Sequence, residues 1–383
     1  MKLPVYLDHH STTPLDPRVF EAMVPYLTDK FGNASSNDHA YGADAAAGVE
    51  ESRAKIAKAL GARSEEIVFT SCATESNNIA LIGTMDIHKN RGDHMVTCVT
   101  EHKAVLDTAK HLESLGKKVT YVPVNSGGNI DLGQLDDAIT DKTVLISIMA
   151  ANNEIGTIHN IAKIGKLAHN RGVIFHTDAA QAVGHIDLNV RDMNIDLMSI
   201  SAHKLYGPKG IGALYIRGVG PRIKTSPIMF GGGQERNLRS GTHNVPGIVG
   251  FSKAVEIAIS EMCSESRRFV EWNSHMRSIL DSYGTINGTL HNRLAYNINM
   301  RFEGIESKAI INSTSKTVAI SAGSACTTNT TEPSHVLLSL GLSEQEAHSS
   351  IRLSFGRFNT EEEINFAAEQ LSKAILRLKQ IHA

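Results

Sequence analysis

The chain is poor in cysteine, with four in 383 residues, at positions 72, 98, 263 and 326. No two form a CxxC pair, which speaks against a zinc ribbon or a dithiol redox centre. The N-terminus, "MKLPVYLDHHSTTPLDP", lacks the apolar run of a secretion signal. No stretch reaches the roughly 18 apolar residues of a membrane helix. A cytoplasmic protein with reduced thiols is therefore expected. Charge of one sign is also lacking. The net charge of −2 gives no global field towards nucleic acid or acidic membranes. There is no GxxxxGK[ST] phosphate loop, no internal repeat and no low-complexity tract.

What is present is an alternation. "EIVFTS", "HMVTCV", "KVTYVPV", "TVLISIMAA", "VIFHTDAA", "DLMSIS" and "GALYIR" read as strands. Helical patterns separate most of them. Val49, Ile56 and Leu60 share one face of a helix that stops at Gly61. Ile79, Ile82 and Met85 share another, and so do Ile161, Ile164, Leu167 and Ala168. The expectation is an α/β fold with a mostly parallel seven-stranded sheet covered by helices on both faces. Beyond about residue 246 come a long helical stretch, strand-like 295–302 and 317–323, and a last helix. That helix opens with the Thr360/Glu363 capping pattern. The chain thus divides into a large domain, 15–255, and a smaller α+β domain made of 1–14 and 256–383.

In such sheets ligands gather beyond the carboxyl ends of the strands. "TSCATE", "TEHKA", "AANNE", "HTDAAQ" and "SAHK" put polar residues there, which suggests one site assembled from distant sequence. Lys204 can form an imine with a carbonyl compound such as pyridoxal 5′-phosphate. Asp178 would then pair with the pyridine nitrogen, and Gln181 would donate to the ring hydroxyl. The backbone N–H groups of Ala73 and Thr74, with the Thr74 hydroxyl, Ser201 and His203, would cup the phosphate at a helix N-terminus. His102 can stack on a ring and exchange protons. Asn153 and Arg352 can hold a ligand's oxygens. Taken singly, Asp178 and Thr74 also read as helix caps, Asn153 as a turn residue and Arg352 as half of a structural ion pair. Cys326, among small and hydroxylated residues, reads as an exposed thiol rather than a core residue.

Together these stretches resemble the PLP-dependent cysteine desulfurases of the NifS/IscS type, in the class-V aminotransferase family. The likeness runs nearly end to end: "YLDHHSTTP", "FGNASS", "FTSCATESNN", "EHKAVLD", "NNEIGT", "TDAAQ", "SISAHKLYGPKGIG", "GGGQERNLRSGT", "GSAC" and "AHSSIRLSFGRF", in that order. The resemblance implies a fold-type I homodimer that removes sulfur from L-cysteine, giving L-alanine and a persulfide on Cys326. Lys204 would attach the cofactor and His102 would stack on it. Thr242 of "RSGT" would reach the phosphate of the partner subunit's cofactor. Asn153 and Arg352 would hold the substrate carboxylate. The sulfur would pass to an acceptor protein serving iron–sulfur cluster assembly, tRNA thiolation or DNA phosphorothioation. No resident metal is implied, although Cys326 would contact a 2Fe-2S cluster transiently. The alternative is a selenocysteine lyase or another fold-type I enzyme.

Three departures from the pattern stand out. Cys72 replaces the usual glycine of "TSGATE". Gln234 stands where the Isc branch often has histidine, as in some relatives that feed DNA phosphorothioation. "LKQIHA" closes the sequence where Isc enzymes usually carry a longer, scaffold-docking tail, which separates the expectation of desulfuration from that of scaffold docking.

Overall fold

Six of the seven strands in the main sheet bury every residue. A strand covered on both faces needs apolar residues at consecutive positions, which is why these segments read as continuous apolar runs. The computed structural model describes residues 1–36, 38–220, 222–323 and 332–382. Across the sheet the order is Ile67–Thr70, Gly212–Ile216, Leu197–Ser201, Ile174–Asp178, Thr143–Ser147, His94–Cys98 and Lys118–Val122. Only Gly212–Ile216 runs against the others. Lys118–Val122 lies at one edge and exposes its lysine, a charged rim that discourages further pairing.

Neighbouring residues on a strand feed different cores. Ile67 and Phe69 join one apolar cluster and Val68 the other. Helices cover both faces. The helix Ala40–Leu60 buries Val49, Ile56 and Leu60 and ends at Gly61, whose φ of +70° suits glycine. The helix Ala73–Ile87 buries Ile79 and Met85 in the second cluster.

The C-terminal part builds a smaller antiparallel sheet from Ser350–Ser354, Asn297–Arg301 and Thr285–Ile286. The N-terminal segment joins it. Val5–Tyr6 pairs with Val318–Ala319, and Asp8 bridges to Ser354. The strand expected over 317–323 shortens to those two residues. Past them Ser321 bridges to Arg352, and its hydroxyl turns back to the Gly323 carbonyl at 2.9 Å. One helix, Val245–Leu280, runs unbroken through position 255. Its later residues Phe269 and Trp272 pack on Tyr296 and Phe355 of the C-terminal part. The final helix, Glu361–His382, opens with the reciprocal Thr360–Glu363 hydrogen bonds, each 3.2 Å.

No helix among the described residues is long and apolar enough to cross a membrane. Cys72, Cys98 and Cys263 carry free thiols. Burial pushes the Cys98 thiol up to about 12, so it is inert core.

Candidate active site

The strands Ile174–Asp178 and Leu197–Ser201 are parallel neighbours, so their carboxyl ends finish side by side. The helix Ala73–Ile87 starts beside them. The three ends frame a cavity of about 230 Å³. Its wall includes Ala73, Thr74, His102, Asn153, Asp178, Gln181, Ser201, His203, Lys204 and Arg352. Ala73, at the start of a helix on the main sheet, and Arg352, on a strand of the small C-terminal sheet, both reach this wall.

Asp178 is buried at its strand end. One oxygen accepts from the Asn77 amide at 2.7 Å and the other from the Ala180 N–H at 2.9 Å. It therefore caps a turn, where the sequence taken singly suggested a helix, while also facing the cavity. Lys204 closes the short turn Ala202–Lys204, and its Nζ donates to the carbonyls of His10 and Ser11 at 2.5 and 2.8 Å. His102 is the N-cap of the helix Lys103–Ser114, and its Nδ1 accepts the Ala104 N–H at 3.1 Å.

The same wall also holds groups suited to an anion. The buried Ser201 hydroxyl has no hydrogen-bond partner among the described residues. Cys72, the N-cap of Ala73–Ile87, makes no side-chain capping bond among the described residues, so its side chain leaves the first N–H groups of the helix open to a ligand. His203 Nδ1 lies 3.1 Å from the Thr12 hydroxyl. Burial, aided by Lys204 and Lys209, lowers this imidazole to about 4, so it is neutral at pH 7. A buried unpaired hydroxyl beside a bare helix start fits a phosphate. A buried carboxylate and a lysine in the same cavity fit the ring and aldehyde of pyridoxal phosphate.

Arg352 is 1% exposed and pairs with Asp8 at 2.8 Å. It also donates to the Ser11 hydroxyl and the Asn153 carbonyl, each at 2.8 Å. Its Nε is buried without a partner among the described residues. Thr242 is exposed and outside this wall, in the segment between the turn Glu235–Asn237 and the helix Val245–Leu280. Gln234 accepts from the Gly241 N–H at 2.8 Å in the same segment. Cys72 stands in the cavity wall. Cys326 lies outside the described residues.

Sequence reasoning gave no role to His10, Ser11, Asn77 or Met149, which also line the cavity. His10 and Ser11 sit in a turn-rich N-terminal stretch whose partners are far along the chain. The signal available was the pair "HH" within "YLDHHSTTP". Burial also drives the Glu101 carboxyl well above its ordinary range, with the Met149 N–H opposing the shift at 2.6 Å. Among the described residues no cluster of three or more His, Cys, Asp or Glu could hold a metal ion.

The class-V aminotransferase family matches residues 5–366. The cysteine desulfurase IscS of Rickettsia felis is 49% identical over 386 residues, covering 99% of this chain and 93% of that protein. The cysteine desulfurase IscS of Anaeromyxobacter dehalogenans is 47% identical over 384 residues, covering 100% of this chain and 95% of that protein. Among solved structures, a NifS-like protein superposes with a TM-score of 0.92 at 37% identity, covering 98% of this chain and 100% of that one. A structure of SspA in complex with cysteine gives a TM-score of 0.83 at 40% identity, covering 93% and 100%. On likeness of this extent, the chain belongs to the class-V aminotransferase family, within its cysteine desulfurase group.

Proposed function

We infer that the chain is a cysteine desulfurase, which moves the sulfur of L-cysteine to its own Cys326 and releases L-alanine. The observation that carries this reading is the meeting in one cavity of Lys204, Asp178 and a Ser201 hydroxyl with no partner among the described residues, in a chain 49% identical to a cysteine desulfurase. Pyridoxal 5′-phosphate is the cofactor we assign. When bound it would supply an electron sink that weakens the substrate Cα–H bond and makes the sulfur electrophilic.

The chain's own residues then have distinct tasks. Lys204 would anchor the cofactor covalently and, once released by substrate, take the Cα proton on Nζ. Asp178, fixed by Asn77 and the Ala180 N–H, would keep the pyridine nitrogen protonated. Gln181 would donate to the ring oxygen. Ala73, Thr74, Ser201 and His203 would hold the phosphate. Arg352, whose Nε has no partner among the described residues, would bind the substrate carboxylate together with Asn153. His102 would stack on the ring and help protonate the product carbon.

The sulfur step balances without an outside oxidant. The Cys326 thiolate attacks the substrate sulfur, an S–S bond forms, and the Cβ–S bond breaks. Its electron pair stays on carbon and is protonated, giving alanine and a persulfide. Cys326 follows Gly323 by three positions, and Ser321, two before that glycine, bridges to Arg352 in the cavity wall.

We further assign a homodimer in which Thr242 reaches the cofactor phosphate of the partner subunit, a cytoplasmic setting, and an acceptor protein that takes the persulfide sulfur. A large domain, 15–255, would carry the cofactor. The small domain, 1–14 with 256–383, would carry Cys326.

The test is an assay of alanine and sulfide from L-cysteine with pyridoxal 5′-phosphate and a reductant. Lys204→Ala is expected to make neither product. Cys326→Ser is expected to retain the cofactor and make almost no sulfide. Normal sulfide from Cys326→Ser would overturn the persulfide route, and turnover by Lys204→Ala would overturn the whole reading.

A further inference from the structure

Gln181 sits at the end of a buried chain of hydrogen bonds whose direction can be worked out from both ends. At the far end is Arg293, whose guanidinium only donates. Its Nε and Nη2 reach Asn297 Oδ1 at 3.0 and 2.7 Å. That contact fixes the Asn297 amide with its oxygen towards Arg293. Its Nδ2 then faces His10 Nε2 at 2.8 Å and must donate. A neutral imidazole that accepts at Nε2 carries its proton on Nδ1. His10 is 1% exposed, and burial lowers its pKa well below the ordinary value, so the ring is neutral. Its Nδ1–H therefore donates to Gln181 Oε1 at 2.9 Å.

The near end gives the same answer independently. The His10 carbonyl only accepts, and Gln181 Nε2 lies 3.0 Å from it. So Nε2 is the donor there, and Oε1 must be the atom facing the ring. Tyr296 adds its hydroxyl to Oε1 at 3.0 Å, and its ring packs on the His10 ring with centroids 4.5 Å apart. Residue 10 thus grips both ends of the Gln181 amide, one with its ring and one with its backbone. A flipped amide would set Nε2 against the Nδ1–H, and Oε1 against a carbonyl. One Gln181 N–H is taken by His10. The second has no partner among the described residues, and Gln181 lines the cavity.

We propose that His10 and Tyr296 are positioning residues that lock the Gln181 amide with an N–H facing the cavity, making it a permanent donor to the ionised ring oxygen of the cofactor. The proposal rests on the assignment of Gln181 to that oxygen. A fixed donor favours the oxygen anion, so the bound cofactor gives up its chromophore proton at lower pH than it would beside an amide free to turn. His10, and not only Gln181, thereby sets the ionisation of the cofactor.

The experiment is a pH titration of the visible absorption band of the purified holoenzyme loaded with pyridoxal 5′-phosphate. Gln181→Ala, which removes the donor, is the reference. It is expected to raise the midpoint by about one pH unit, the size of one charge-assisted hydrogen bond. His10→Phe, which loses the ring donor to Oε1 but keeps the backbone carbonyl that accepts from Nε2, is expected to raise the midpoint by about half that amount. Tyr296→Phe, a loss of one hydroxyl, is expected to raise it by about half as much as Gln181→Ala does. His10→Asn, whose Nδ2 can take the place of Nδ1, is expected to restore the wild-type midpoint. The double variant His10→Phe/Gln181→Ala is expected to shift no further than Gln181→Ala alone.

Should Gln181→Ala leave the midpoint unchanged, the assignment of Gln181 to the ring oxygen fails. Should Gln181→Ala shift it while Tyr296→Phe and any folded His10→Phe do not, the positioning role alone is overturned. Additive shifts in the double variant would overturn it as well. If His10→Phe does not fold, Tyr296→Phe and His10→Asn decide: a raised midpoint in the first with a normal one in the second supports the proposal, and any other pair contradicts it.

Discussion

Glu235→Gln tests whether one buried carboxylate seals the edge of the main sheet. Ile67–Thr70 is the last strand on its side, and its outward backbone groups meet side chains instead of another strand. The Phe69 N–H donates to Glu235 at 2.8 Å, and the Ile67 carbonyl accepts from Arg53 at 2.9 Å and Arg236 at 3.0 Å. Glu235 also receives both terminal nitrogens of Arg53, at 2.7 and 2.8 Å, and His243 at 2.6 Å. Reaching this position puts Glu235, Arg236 and Asn237 at φ of 46°, 57° and 66°, a left-handed run that costs backbone energy in three consecutive non-glycine residues.

Burial alone would raise the Glu235 pKa. Hydrogen bonds from His243 and Arg53 overcome it and bring the value from 4.5 to about 2. At about 1.4 kcal/mol per pH unit, that lowering is worth about 3 kcal/mol of folding stability. That agrees with the range for breaking a buried ion pair. Unfolding entropy of about 2 cal/mol/K per residue makes this about 4 °C in Tm for a chain of 383 residues. Because the folded pKa is the lower one, the contribution is complete above about 4.5 and fades as pH falls towards 2. Thermal melts at several pH values would therefore show Glu235→Gln below the wild type at pH 7, with the gap narrowing on acidification below about 4.5. Glu50→Gln is the control. Glu50 also pairs with Arg53, but its side chain is 64% exposed, so it should melt within about 1 °C of the wild type. A Glu235→Gln protein that melts like the wild type at pH 7, or a gap that widens in acid, would show that Glu235 does not seal this edge as an ion pair.

Two further outcomes follow from the cavity. Ser201→Ala removes a hydroxyl with no protein partner among the described residues, so the apo-protein should melt within about 1 °C of the wild type while the Kd for pyridoxal 5′-phosphate rises about fivefold. Spectroscopic titration and thermal melts check both, and an unchanged Kd would remove Ser201 from the phosphate site. Arg352→Lys keeps the charge and loses the fork that spans Asp8, Ser11 and Asn153. Steady-state kinetics should show KM for L-cysteine about tenfold higher with kcat less affected. An unchanged KM would limit Arg352 to its pair with Asp8.

The fold-type I sheet was legible because burial on both faces forces apolar runs, and those runs end in polar residues that line the cavity. Asp178, Lys204 and Ser201 could be read for that reason. Each is local to a strand end, so a few adjacent residues carry the signal. His10 could not be read this way. Its ring contacts are 171 and 287 positions away, and its own neighbourhood is turn-forming sequence. The Asp8–Arg352 pair spans 344 positions and was open between a protein and a substrate carboxylate until the N-terminal strand was seen to join the small sheet. The helix Val245–Leu280 hides any boundary near residue 255, because helical periodicity continues while its packing partners change.

If sulfur leaves L-cysteine for one thiol of this chain, mass analysis of peptides after a single turnover without reductant will find it there. One sulfur atom is expected on the Cys326 peptide, matched by an equal amount of alanine. Alanine formed with that peptide unaltered, or sulfur found on Cys72 instead, would show that the transfer does not go through Cys326.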